Sequence, residues 1–365
     1  MKTFLFIFIC SIVIALLSVL SSDGIADTIR VRIAALSSLW NRPLNPPSTP
    51  NTTTTPTHPP PPPAPTMSAA RTIRKILLAA QQSEGQGATV RRSIGTASLR
   101  NLTPFLMLDH FTVSPGAGFP DHPHRGQETI TYLLRGAVDH EDFAGNAGTI
   151  GPGDLQFMTA GRGIVHAEMP AARGGGASEG LQLWVDLPRE LKMCEPRYRD
   201  LRAAEIPEVH ADEGRVRVKV ISGRSHGVDS VRDLAYTPVW ILDVEVRPGG
   251  TVTQEVPSGW SAFAYVLSGT AVFGAARKSV GPFHNVVFEG DGDNVVASVE
   301  ADAAEPARFV LVAGQPLDQE VVQYGPFVLD SKEGVYQALM DYQERRNGFE
   351  RAEGWRSEIG KSMMG

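Results

Sequence analysis

The chain has 365 residues, 42% of them hydrophobic, which is enough for two domains with sizeable cores. A net charge of −6 and a pI near 5.9 argue against a large electrostatic surface for nucleic acid. The only cysteines are Cys10 and Cys194, so the body offers neither an internal disulfide nor a thiolate metal cluster.

Phe4 to Leu20 is a nearly unbroken apolar run behind Lys2. It reads as the apolar part of a signal peptide, with a membrane anchor as second reading and a buried helix last. We take 1–26 as this leader and 27–66 as a Pro/Thr-rich linker, whose composition favours hydrated, extended chain. Met67 could serve as an alternative start, removing both.

An apolar–basic stretch, Thr72 to Ala80, opens the globular composition. Short strand patterns follow at Ala88–Ile94, Phe105–Phe111, Thr129–Leu134, Val138–Phe143, Asp154–Met158, Gly163–Glu168 and Leu181–Leu187, punctuated by Gly and Pro. Arg189 to Pro207 is polar and irregular and reads as a passage between domains. Strand patterning resumes at Val216–Ile221, which alternates cleanly, and continues at Val239–Val246, Ser261–Phe273 and Arg308–Ala313. Ser331 to Asn347 has helical period, with Ser331 as N-cap, Val335, Leu339 and Tyr342 on one face, and Gly348 as stop. The expected layout is one barrel over 67–195, a second over 208–325, and a C-terminal helix and tail over 326–365.

Two pairs within 116–170 carry the chemistry: His122 with His124, and His166 with Glu168. In a strand, i and i+2 share a face, so two adjacent strands would aim three imidazoles and one carboxylate at a common point. These are ligands for Fe, Mn, Ni, Cu or Zn. A mononuclear metal site of His122, His124, His166 and Glu168 is the expectation. Glu168 is also the candidate proton acceptor. Gln127 and Arg125 are expected to orient ligands, and Glu128 and Asp121 to serve supporting or structural needs. His110, His140, Glu141 and Asp142 read as loop or hairpin groups, with His140 and Asp142 the decoy pair because they share the i, i+2 spacing. Trp184 and Cys194 read as packing residues, the reactivity of Cys194 staying open. Where a second barrel would repeat the His pair stands Pro257-Ser-Gly-Trp-Ser-Ala, and His284 has no partner at i, i+2, so the second barrel is expected to be metal-free.

The pattern of Gly116, His122, His124, Glu128, Pro152-Gly153-Asp154, Gly163 and His166 resembles the two cupin motifs. The longer strings from Asn101 to Phe111, Phe119 to Gly126, Phe157 to Pro170 and Gly180 to Val185 resemble the pirin family, from about Val90 to the C-terminus. Gly136 lies one residue later than the cupin spacing, and Thr89 stands where family members often carry a base. The resemblance implies an all-β bicupin fold of two jelly-roll barrels, with the C-terminal segment packed back on them. It implies Fe as the metal and oxygen-dependent opening of quercetin-type flavonols as the activity, with flavonol and dioxygen as partners. The alternative it carries is a non-enzymatic, redox-sensing nuclear co-regulator that binds a transcription factor or signalling protein. Thr89 weakens that alternative by removing one charge, and a storage cupin is disfavoured by the complete ligand set. We expect a monomer that does not bind nucleic acid directly and meets membrane only if the leader is retained. The body is expected in cytoplasm and nucleus, with the secretory pathway or a membrane anchor through residues 4–20 as the alternative.

Overall fold

Alternating apolar side chains build the strands, as Val216, Val218 and Val220 show: all three are fully buried while Arg217 and Lys219 between them reach solvent. The computed structural model describes residues 69–364 apart from 85–86, 172–174 and 232–233. The leader, the linker and Met67 lie outside the described residues. Among the described residues no helix is long and apolar enough to cross a membrane.

The first described strand, β1 (Ile73–Leu78), is followed by β2 (Gln81–Glu84), β3 (Ala88–Ile94), β4 (Phe105–Val113), β5 (Phe119–His124) and β6 (Gln127–Arg135). Then come β7 (Val138–Asp142), β8 (Ala147–Ile150), β9 (Leu155–Thr159), β10 (Ile164–Pro170), β11 (Ser178–Asp186) and β12 (Arg197–Leu201). A seven-stranded sheet, β12-β9-β6-β11-β4-β3-β2, and a four-stranded one, β5-β10-β7-β8, form the first barrel. The stretch read as a passage between domains thus supplies an edge strand, β12, paired antiparallel with β9.

The second half carries β13 (Glu208–Ala211), β14 (Val216–Ser222), a short ribbon of β15 (Arg224–Ser225) and β16 (Val228–Asp229), β17 (Val239–Val246) and β18 (Thr251–Glu255). It continues through β19 (Ser261–Ser268), β20 (Ala271–Phe273), β21 (Lys278–Val280), β22 (His284–Phe288), β23 (Asn294–Ser298) and β24 (Ala307–Gly314). Its larger sheet runs β1-β22-β19-β24-β17-β14-β13, and its smaller one β18-β23-β20-β21. β1 therefore departs from the expected layout. It lies in the segment assigned to the first barrel, yet pairs antiparallel with β22 of the second. Arg71 secures this crossing by donating to the carbonyls of Gly292, Trp260 and Pro257.

The two larger sheets meet face to face. Phe105, Ile130, Phe157 and Leu183 of one pack with Ile241, Phe263, Val310 and Val312 of the other. Phe105 and Phe263 meet edge-on at 5.1 Å between ring centres, and the Tyr132 hydroxyl donates to Asp243 at 2.6 Å. Inside the second barrel the space is filled by Val, Ala and three aromatic rings, Phe273, Phe288 and Phe309. His284 sits at a strand start against the carbonyls of Gly281 and Pro282.

After β25 (Val322–Tyr324) and β26 (Phe327–Leu329) comes helix α1 (Lys332–Gln343), with Ser331 as its cap accepting the Gly334 N–H at 3.1 Å. The helix stops short of Asn347. Arg345 and Asn347 take positive φ, and Asp341 accepts from both Arg346 and Asn347, folding the chain back before a further turn can form. Val335, Ala338 and Phe349 pack on Met158, Ala160 and Ile164 of the first barrel. A short helix, α2 (Lys361–Met364), closes the described chain.

Candidate metal centre

β5 and β10 run antiparallel with His166 opposite His122 and Ile164 opposite His124, which brings the two motifs to one place. His122, His124 and His166 form a group whose ligand atoms all lie within 4.8 Å of one another. Their ring centres are 4.3 to 5.0 Å apart. His124 and His166 are 2% and 0% exposed, whereas His122 is half-buried, so the cluster opens to solvent on the His122 side.

In each imidazole Nδ1 is engaged: His122 with the Pro120 carbonyl at 2.9 Å, His124 with the Gln127 amide at 2.8 Å, His166 with the Tyr198 hydroxyl at 3.2 Å. The Nε2 atoms of His124 and His166 are buried and have no partner. Leaving such atoms unmatched costs roughly 1–3 kcal/mol each, and a metal ion is a partner that fits them. The proton must then sit on Nδ1. His122 already satisfies that by donating to a carbonyl, and at His124 the Gln127 side chain must turn its oxygen toward the ring. Burial, reinforced by the neighbouring imidazole of His122, holds the pKa values of His124 and His166 well below the ordinary histidine range. Both are neutral at pH 7, the state in which imidazole can ligate.

Glu168 is not one of the three residues whose ligand atoms converge within 4.8 Å. The β10–β5 register slips between His166 and Glu168, so Glu168 pairs with Phe119 in the ladder rather than with Pro120. Its carboxylate lies 3.1 Å from the Thr131 hydroxyl, which is also 2.6 Å from the Gln182 side-chain oxygen. One hydroxyl proton cannot serve two acceptors. Turning the Gln182 amide over lets it donate to Thr131 and frees the hydroxyl for Glu168.

The remaining sequence candidates fall into place around the cluster. Gln127 does meet a ligand. Arg125 does not: it turns away, donating to Arg162 O, Asp341 and Asn347 O, and stacks over Phe349 at 4.7 Å. Glu128 accepts from Thr159 and from the backbone of Tyr236 and Thr237, fixing the segment before β17. Asp121 and Glu141 accept backbone N–H groups of Ser357 and Glu358 in the tail. Asp142 organises the turn at 144–146. His110 bridges Tyr265 and Glu179 between the barrels. Trp184 sets its ring against His124 at 5.2 Å between centres. Burial pushes the Cys194 thiol up, so it stays protonated. Lys192, two residues before it, is tied instead to Asp186 at 2.7 Å and to the carbonyls of Gly126 and Val328. Thr131 and Tyr198 were not among the sequence candidates. Neither belongs to a motif, and only the folded sheet brings them to the cluster.

Residues 87–185 match the pirin family model, and residues 241–348 match the pirin C-terminal cupin domain. A pirin-like protein of Solanum lycopersicum is 49% identical over 80% of this chain and 98% of its own length. The chain belongs to the pirin family. Pirin of Homo sapiens is 46% identical over 80% of this chain and all of its own. Among solved structures, a quercetin 2,3-dioxygenase from Acinetobacter baumannii superposes with a TM-score of 0.70 at 29% identity, covering 77% of this chain and 99% of that one. The two-barrel, all-β architecture is that of this pirin group of cupins.

Proposed function

We propose that this pirin-family protein is a mononuclear, iron-dependent dioxygenase of quercetin-type flavonols, with His122, His124, His166 and Glu168 as the metal ligands. The observation that carries the reading is the pair of buried, unpartnered Nε2 atoms converging with His122. The likeness to a protein named quercetin 2,3-dioxygenase supports the choice of substrate. Bound iron would supply Lewis acidity toward an enol or phenol oxygen and a redox partner for dioxygen. The chain's own residues do the rest. The substrate enters on the His122 side. Glu168 accepts the proton of the flavonol hydroxyl at a carboxylate oxygen, and the Thr131 hydroxyl holds that carboxylate in place. Trp184 walls the site beside His124, and the sheets behind it exclude water.

The test is elemental analysis of the full chain followed by a flavonol assay, first anaerobic and then in air. One equivalent of iron with oxygen-dependent flavonol loss, abolished in His124→Ala, is the expected result. Metal without turnover would overturn the enzymatic reading and favour a metal-bearing binding module, whose partner affinity should then differ between Fe(II) and Fe(III). No metal after reconstitution would sink both.

A further inference from the structure

We propose that Tyr198 is a positioning residue of this centre, a hydroxyl that turns between His166 and Met158 and so accepts the Nδ1 proton that His166 must carry when a metal takes Nε2. The inference rests on the metal reading above and adds a residue to it.

Tyr198 and Met158 are direct cross-strand partners in the β12–β9 ladder. That pairing puts the phenol oxygen 3.0 Å from the Met158 sulfur and 3.2 Å from Nδ1 of His166. The ring itself is held, lying nearly parallel to His140 (12° between planes, 5.8 Å between centres), so what can turn is the hydroxyl hydrogen. A tyrosine hydroxyl keeps its proton at neutral pH, since its ordinary pKa lies near 10. It therefore always has one proton to give and two places to put it.

The two places differ. Imidazole nitrogen is a strong acceptor and thioether sulfur a weak one. With Nε2 of His166 unligated, the hydroxyl donates to Nδ1, and the ring carries its own proton on Nε2. With a metal on Nε2, Nδ1 must carry the proton and donate to the phenol oxygen, and the hydroxyl turns to sulfur. On loading, the Nε2–H bond of His166 breaks as the metal takes that nitrogen and an N–H bond forms at Nδ1, so the ring stays neutral with one proton throughout. Met158 is 1% exposed, and its sulfur is the other acceptor that the β12–β9 pairing places within reach of the hydroxyl.

The experiment uses the full chain and Zn(II), a redox-silent probe. Histidine 15N resonances report the His166 tautomer before and after loading, and chelator competition gives Zn(II) affinity for wild type, Tyr198→Phe and Met158→Leu. We expect the proton of His166 to move from Nε2 to Nδ1 on loading. Tyr198→Phe keeps the ring against His140 and should bind Zn(II) about tenfold more weakly, with Met158→Leu weakened less. A wild type that takes up no Zn(II) overturns the metal reading and this inference with it. A wild type that binds Zn(II), with the same tautomer in both states or the same affinity in Tyr198→Phe, overturns this inference alone. If Tyr198→Phe does not fold, the wild-type tautomers and Met158→Leu still decide.

Discussion

Gln127 reaches His124 across the tight turn at Gly126, and that contact fixes the ring. Gln127→Leu keeps the volume and removes the partner, so metal affinity should drop about 10- to 100-fold in chelator competition, with the far-ultraviolet spectrum unchanged. A second outcome follows from the burial of His124 and His166. In the unfolded chain both protonate near pH 6.5, whereas in the folded, metal-free chain they resist protonation. Below about pH 6.5 the unfolded state binds more protons, so stability falls as pH falls. Thermal melts of chelated protein at pH 7.5 and 5.5 should show a smaller loss for His124→Ala than for wild type. At this scale the three histidines were legible because strand alternation converts i, i+2 spacing into a shared face. Tyr198 was not, because its position depends on a pairing between β12 and β9 that no local spacing announces. Arg125 misled for the opposite reason. It adjoins a ligand in sequence, but alternation sends its side chain the other way.

The C-terminal segment works as a clamp on the turn that follows His124. Arg125 donates to Asp341 of α1 at 2.8 Å with both side chains 2% exposed. Val328 donates its N–H to Arg125 O. Gly126 takes φ +79°, where a Cβ would come within 2.0 Å of Val328 O, so only glycine fits. Removing one member of a buried pair leaves the other uncompensated, and Asp341→Ala should cost about 3–5 kcal/mol in urea unfolding. The same variant should loosen the turn after His124 and weaken metal binding. Helix α1 was legible from its period and its serine cap. Its end was not, since the stop is made by Asp341 collecting donors from beyond the helix rather than by Gly348.

The whole molecule is held by the face-to-face packing of two seven-stranded sheets and by β1, which belongs to the second barrel although it precedes the first. A cut between 201 and 208 should therefore not give two soluble barrels. A chain beginning at Gln81 should lose the β1 ladder and the Arg71 contacts, lower the melting temperature by several degrees and aggregate, as light scattering would show. Two barrels were legible because strand patterning stops and then resumes at Val216. The crossing was not. Thr72 to Ala80 shows only an apolar–basic stretch, and nothing local tells such a strand which distant edge it will join.

That crossing also sets an order of events on the ribosome. Ile73 pairs with Phe288, about 215 residues later, and at about 5–20 residues per second that length takes roughly 10–40 s to synthesise. Throughout that interval β1 has been made and its partner has not, while the strands of the first barrel emerge and can close on one another. The first of the described strands to be made is thus among the last to be placed. A nascent chain stalled before β22 would carry an unpaired edge bearing Ile73, Ile76 and Leu77, the segment most open to association with a neighbouring chain.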